Sequence, residues 1–270
     1  GCMQADGVFP DVVTFISILK ACGNIGAVDK GEQVHEEIVN QRLIENDIIL
    51  GNALVDMYAK CGLLVKAEDV LEELPIRNVV SWNALISGYA EQGQCHEALN
   101  CLERMCNEGV SPDEVTFLCI LSACSHLKLL EETQTLLLNM KGIYGVTPNI
   151  EHYTCMVVGF GCAGHFGEAI SVIQAMPSFD CVIFLALLSA CQKRGNVKLG
   201  KLAFDQILQL DISCTSAYIL MANIFSVAGM QADSEKIELM RQQYATSRKQ
   251  GDSSWMLVEK FIDFSSTIRK

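Results

Sequence analysis

The chain has 270 residues, half of them apolar, enough to bury a substantial core, which sets intrinsic disorder aside. Its formal net charge of −12 argues against a protein that holds nucleic acid mainly by attraction to phosphates. No apolar run reaches the ~18 to 20 residues that a membrane span needs, since the longest, Cys181 to Cys191, stops at 11. The 13 cysteines contain no C-x-x-C pair, so they read as small core residues in a reducing compartment, with neither zinc nor a disulfide framework expected. The opening GCMQADGVFPD lacks signal-peptide and transit-peptide features and looks like a cut inside a longer protein.

In chain order, apolar residues recur at i, i+3, i+4 and i+7, which predicts one amphipathic helix after another. The stripes are Phe15, Ile18, Leu19, Cys22; Trp82, Leu85, Ile86, Tyr89; Phe117, Ile120, Leu121, Cys124; Tyr153, Met156, Val157, Phe160; Phe184, Leu187, Leu188, Cys191; and Tyr218, Met221, Ala222, Phe225. Such helices run into Gly26, Gly62, Gly93, Gly164, Gly195 and Gly229, where glycine suits a left-handed C-terminal turn. Five residues further on comes a small residue, Gly31, Ala67, Ala98, Ala169, Gly200 or Ser234, placed where two helix backbones could approach. With Lys128 and Thr133 filling the one gap, the successive glycine positions lie 36, 31, 35, 36, 31 and 34 residues apart. Second apolar stripes follow, such as Leu99, Leu102, Met105, and several units close on Pro10, Pro75, Pro112, Pro148 or Pro177. A single helix pair cannot bury both faces, so the expectation is an all-α fold, a right-handed α-solenoid superhelix of stacked helix-turn-helix repeats.

One motif competes with this reading. GFGCAG, Gly159 to Gly164, has the G-x-G-x-x-G spacing of a dinucleotide-binding turn, but that turn requires a strand before it and a helix after it. Here the preceding residues have helical periodicity and Gly164 is the ordinary inter-helix glycine, so no cofactor is expected.

The residues VVSWNALISGYAEQGQCHEALNCLERMCNEGVSPD (79–113) resemble a standard pentatricopeptide repeat (PPR), and GNALVDMYAKCG (51–62) resembles its short variant. The alternation of lengths resembles the L, S, P, L, S order of the plant PLS subfamily. LLSACQKRGNVKLG and AYILMANIFSVAGM resemble the E motifs that follow such arrays, and GDSSWMLVEK resembles the start of an E+ extension. The resemblance implies a remnant P repeat (1–11), L (12–47), S (48–78), P (79–113), L (114–149) and S (150–180) repeats, E1 (181–214), E2 (215–248) and the beginning of E+ (249–270). Lys128, Thr133 and Gln250 depart from the family pattern. No H-x-E is paired with C-x-x-C; His35 to Glu37 stands alone on a second helix, so no catalytic residue, metal or enzymatic activity is expected of this chain.

By the same resemblance, the fifth and last residues of a repeat read one base of single-stranded RNA, while the second residue packs against bases. The implied readers are Asn52 with Asn78 for a pyrimidine (C over U), Asn83 with Asp113 for U, and Thr154 with Asp180 for G; Ile49, Val80 and Val115 would flank the bases. In the L repeats, Ile16 with Asp47 and Leu118 with Asn149 place an aliphatic group at the reading position, and the E motifs have Leu185 and Ile219 there. Acidic residues concentrate in second helices, while the first helices carry charge at Lys20, Asp56, Lys60, Glu91 and Lys193, which makes Lys60 the leading phosphate contact. The resemblance further implies C-to-U editing of single-stranded organellar RNA in chloroplast or mitochondrion, a deaminase-bearing protein acting in trans, and editing cofactors docking on L and E motifs. No membrane association is expected. A helical-repeat scaffold that binds only proteins is the other reading.

Overall fold

The computed structural model describes residues 10–44, 47–127, 130–176 and 180–250. Lys128, Pro177, most of the remnant repeat and the E+ segment from residue 251 lie outside them. Among the described residues there is no strand, and the helices follow one another in pairs: α1 (Val12–Ile25) and α2 (Val28–Asn40), α3 (Ile48–Lys60) and α4 (Leu64–Glu73), α5 (Val79–Glu91) and α6 (Cys95–Asn107), α7 (Glu114–Leu127) and α8 (Leu130–Gly142), α9 (Ile150–Ala163) and α10 (Phe166–Gln174), α11 (Cys181–Arg194) and α12 (Val197–Leu210), and α13 (Thr215–Val227) and α14 (Gln231–Gln250). The chain divides into two compact units, residues 1–152 and 153–270.

In the first unit, the leading helices stack in sequence, α1 on α3, α3 on α5 and α5 on α7, while each packs against the second helix of its own pair. The stripes read from the sequence supply the seam: Phe15, Leu19, Trp82, Leu85, Ile86, Phe117, Ile120 and Leu121 are buried, and Ile18 is only half-buried. The small residue at Gly31 stands against a side chain of the neighbouring leading helix rather than against its backbone. A Cβ on Gly31 would lie 2.5 Å from Met57 Sδ, so a larger residue there requires the Met57 side chain to shift. The glycines that end the first helices are left-handed, Gly26 at φ 67° and Gly93 at φ 70°, as their position requires.

Polar groups reinforce the second layer. Arg104 on α6 pairs with Glu68 and with Glu72 (3.1 Å) on α4, and its guanidinium sits 5.3 Å from the centre of the Trp82 ring. Tyr89 Oη donates to Glu68 at 3.0 Å. Cys95 and Cys124 are buried with their sulfurs 2.6 Å apart, and every described cysteine is a free thiol.

In the second unit, α11 and α13 stack as leading helices, with α12 and α14 beside them. Phe184, Leu187, Leu188 and Cys191 are buried, as are Tyr218, Met221 and Phe225, whereas Ala222 is half-buried. Phe204 meets Tyr218 edge-on at 5.3 Å, and Tyr218 Oη donates to the carbonyl of Ile212 at 2.9 Å. The GFGCAG stretch is helical: α9 runs unbroken to Ala163 and Gly164 ends it at φ 90°. A Cβ on Gly161 would come within 2.4 Å of Ala190 Cβ, so this glycine serves the packing of α9 against α11.

Candidate nucleic-acid interface

The leading helices up to α11 begin on an Asp or Asn that caps exposed N–H groups, whereas α13 begins after Cys214 without a side-chain cap. Asp11, Asp47, Asn78 and Asp180 take extended backbone angles and accept from N–H groups of the first turn. Asn78, Asp113 and Asp180 are the last residues of their predicted repeats, so the group expected to help read a base is also the cap of the following helix.

At two junctions this cap joins the fifth residue of the preceding repeat. Asn52 Nδ2 donates to Asn78 Oδ1 at 3.4 Å, and Asn83 Nδ2 donates to Asp113 Oδ1 at 2.9 Å. Both caps close with a hydroxyl three residues on. Ser81 N–H donates to Asn78 Oδ1 at 3.0 Å and Asn78 N–H returns a bond to Ser81 Oγ at 3.1 Å; Thr116 N–H donates to Asp113 Oδ1 at 2.9 Å and Asp113 N–H to Thr116 Oγ1 at 3.1 Å. These hydroxyls also reach across the repeat boundary, Ser81 Oγ donating to Asn52 Oδ1 and Thr116 Oγ1 to Asn83 Oδ1, both at 2.6 Å. Asn52 is 8% exposed because of these contacts; Asn83 is half-buried. Burial opposes ionisation of Asp113, but the bonds from the Thr116 backbone, Asn83 and the Thr116 hydroxyl outweigh it and hold the carboxyl below the ordinary carboxylate range.

The junction at Asn149 is built differently. Asn149 Oδ1 accepts from the N–H groups of Glu151 (3.0 Å) and His152 (3.3 Å), while Asn149 Nδ2 donates to Glu114 Oε2 at 3.0 Å. His152, fully buried, lies 2.6 Å from Asn149 Oδ1 through Nδ1 and 3.0 Å from the Glu114 carbonyl through Nε2. Leu118, at the fifth position, offers no polar group to this arrangement.

In the second unit Thr154 is half-buried near the start of α9, and Asp180 caps α11 by accepting from Val182 N–H at 3.1 Å. That backbone bond, with further ones from the Cys181 thiol and backbone, lowers the Asp180 carboxyl below its ordinary range.

The apolar residues expected beside the bases are open to solvent: Ile49 is 63%, Val80 54% and Val115 51% exposed. Val13 and Val182 hold the same position and are exposed as well. Lys60 differs from expectation in that its ammonium is held by Asp56 at 2.8 Å one helical turn away, so its charge is shared. The charge reading of the first helices was also incomplete, since Glu114, Glu151 and Arg194 fall within α7, α9 and α11. Sequence reasoning passed over Ser81, Thr116, His152 and Glu114; a hydroxyl three residues after an Asn or Asp cap was the available signal for the first two.

The comparisons with known proteins fit these repeats. Residues 77–126 match the PPR repeat family, 52–79 and 151–181 match the PPR repeat, 2–60 match the pentatricopeptide repeat domain, and 194–256 match the E motif. The chain belongs to the pentatricopeptide repeat family. A pentatricopeptide repeat-containing protein of Arabidopsis thaliana is 42% identical over 83% of this chain and 31% of its own length, and a second, with a putative name, is 37% identical over 95% of this chain and 52% of its own. Another from the same plant, named as chloroplastic, is 35% identical over 94% of this chain and 29% of its own. The chain thus spans about a third to a half of the length of these relatives. Among solved structures, PPR10 in complex with an 18-nucleotide psaJ RNA element aligns with a TM-score of 0.68 at 17% identity, covering 90% of this chain and 37% of that one; PPR10 from maize aligns at 0.54 and 20%, covering 94% and 41%. At such identities the likeness establishes the fold, a PPR solenoid. Among the described residues no helix is long and apolar enough to cross a membrane, and no three His, Cys, Asp or Glu side chains are grouped to hold a metal ion.

Proposed function

We propose that this PPR chain recognises single-stranded RNA sequence-specifically, as a PLS-type factor of organellar C-to-U editing. The observation that carries the reading is the repeated arrangement at Asn52 and Asn83: an amide at the fifth position, tied to the last residue of its repeat, beside an exposed aliphatic second residue. A polar edge next to an apolar wedge suits an unstacked base, which needs hydrogen bonds at its rim and contact on its face. The likeness in fold to PPR10, solved with bound RNA, supports the same reading. Asn52 with Asn78, Asn83 with Asp113, and Thr154 with Asp180 are the readers, for a pyrimidine, U and G respectively; Ile49, Val80 and Val115 supply the faces. The repeat boundaries are those read from the sequence.

In this proposal the chain contributes recognition rather than catalysis. The E motif over residues 194–256 supports a role in recruiting a deaminase in trans, with cofactors docking on the L and E units. The chloroplastic relative supports an organelle as the site of action. Selection from a randomised single-stranded RNA pool, followed by Thr154→Asn, tests the reading. The variant moves preference at one nucleotide from purine towards pyrimidine by ~1 to 3 kcal/mol. Retention of no RNA, or an unchanged base ranking, leaves a protein-binding scaffold instead.

A further inference from the structure

Asparagine has a symmetry problem as a base reader. Rotating its amide by half a turn exchanges donor and acceptor at almost no steric cost, so an unrestrained side chain offers two opposite patterns to the same base. At Asn52 and Asn83 that freedom is removed from both ends. The cap oxygen is an acceptor, because Asp113 is a carboxylate and Asn78 Oδ1 already receives Ser81 N–H; the face turned towards it must therefore be the amide nitrogen. The other face, Oδ1, then meets a hydroxyl proton, from Ser81 or Thr116.

We propose that Ser81 and Thr116 are positioning residues for base recognition: the hydroxyl at the third position of one repeat locks the fifth-position amide of the preceding repeat in one orientation, and so sets the donor–acceptor pattern offered to RNA. The inference rests on the base-reading role proposed above for Asn52 and Asn83.

Three observations support it. A serine or threonine hydroxyl has a single proton, and its placement is informative. Thr14, in the first repeat, donates to its own cap, Asp11 Oδ1, at 2.6 Å. In Ser81 and Thr116 the contact with the own cap lengthens to 3.1 and 3.0 Å, and the 2.6 Å contact goes to the amide of the neighbouring repeat. Second, both hydroxyl-bearing residues are fully buried, so water does not compete for the amide oxygen at that face. Third, wherever the preceding fifth residue lies within the sequence, the third position carries a hydroxyl only after Asn: Leu50 follows Ile16, His152 follows Leu118, Ile183 follows Thr154 and Ala217 follows Leu185, none of these four fifth residues having an amide to orient. Each locked amide retains one N–H and one oxygen lone pair in a fixed order, which is what a pyrimidine edge requires to be told from its mirror pattern.

The test uses the chain with the RNA it selects from a randomised single-stranded pool. Asn52→Thr first identifies the nucleotide whose base ranking it moves; four RNAs differing only there, and four differing at the nucleotide moved by Asn83→Thr, are then titrated. Ser81→Ala is expected to lower discrimination about 2- to 10-fold at the Asn52 nucleotide alone, the range one neutral hydrogen bond carries, and Ser81→Thr is expected to keep it. Thr116→Val, which preserves volume, does the same at the Asn83 nucleotide, and Thr116→Ser retains the wild-type ranking. Should Ser81→Ala lose its helical circular dichroism, the threonine pair decides. If Ser81→Ala and Thr116→Val weaken all four RNAs equally and leave discrimination unchanged, the hydroxyls are helix caps and nothing more, and the proposal falls. If Asn52→Thr and Asn83→Thr themselves move no ranking, the base-reading role fails and takes this inference with it.

Discussion

The junctions at Asn78 and Asp113 and the junction at Asn149 solve the same structural problem with different side chains. All three cap a helix with an Asn or Asp, yet in the first two the cap holds an amide of the preceding repeat, whereas Asn149 holds Glu114 and has His152 closing the gap. Stacking is therefore indifferent to what stands at the fifth position, provided each cap finds partners for its polar atoms. That tolerance lets one repeat carry an amide and another a leucine at the fifth position without a change of architecture.

The comparison predicts unequal responses to substitution. The largest is His152→Ala, which removes the ring contact with the Glu114 carbonyl and opens a cavity where a fully buried side chain stood; a loss of roughly 2 to 4 kcal/mol is expected in urea unfolding of the chain. Next, the double substitution Leu118→Asn with His152→Thr transplants the amide and its hydroxyl into this junction. It is expected to add preference at a further nucleotide worth ~1 to 3 kcal/mol in competition titrations, and the gain requires both changes. Ser81→Ala removes one capping contact and the amide bond, for about 1 kcal/mol of stability, less than His152→Ala because no large side chain is deleted.

Acid should separate the junctions further. The folded-state value of Asp113 is depressed, so its contribution is complete above the ordinary carboxylate range and is lost as pH falls through the folded value. Asp113→Asn is expected to flatten that part of a melting-temperature profile against pH, while Asn149→Ala, which removes a neutral cap, leaves its acid limb in place. The smallest effect belongs to Lys60→Ala: with the ammonium already paired to Asp56, the slope of RNA affinity against salt should change by less than one phosphate contact.

Much of this arrangement was legible beforehand. Gly26, Gly93 and Gly164 marked helix ends because few other residues accept a left-handed turn, and Gly31 marked a close contact, made with the Met57 side chain. The pairing of position five with the last residue of a repeat followed from a resemblance, and the structure brings Asn52 to Asn78 and Asn83 to Asp113. The pairing of Lys60 with Asp56, one turn away on the same helix, was not read from the sequence.

By itself the sequence determined what is local: helix period, glycine stops, and caps that act on N–H groups two or three residues ahead. Only the stacked structure decided which hydroxyl meets which amide, and that Glu114 rather than Leu118 satisfies Asn149. Those contacts join residues 29, 33 and 35 positions apart, and their geometry is set by the offset between neighbouring helix pairs, a quantity that depends on how both cores pack and that no single stretch of chain contains.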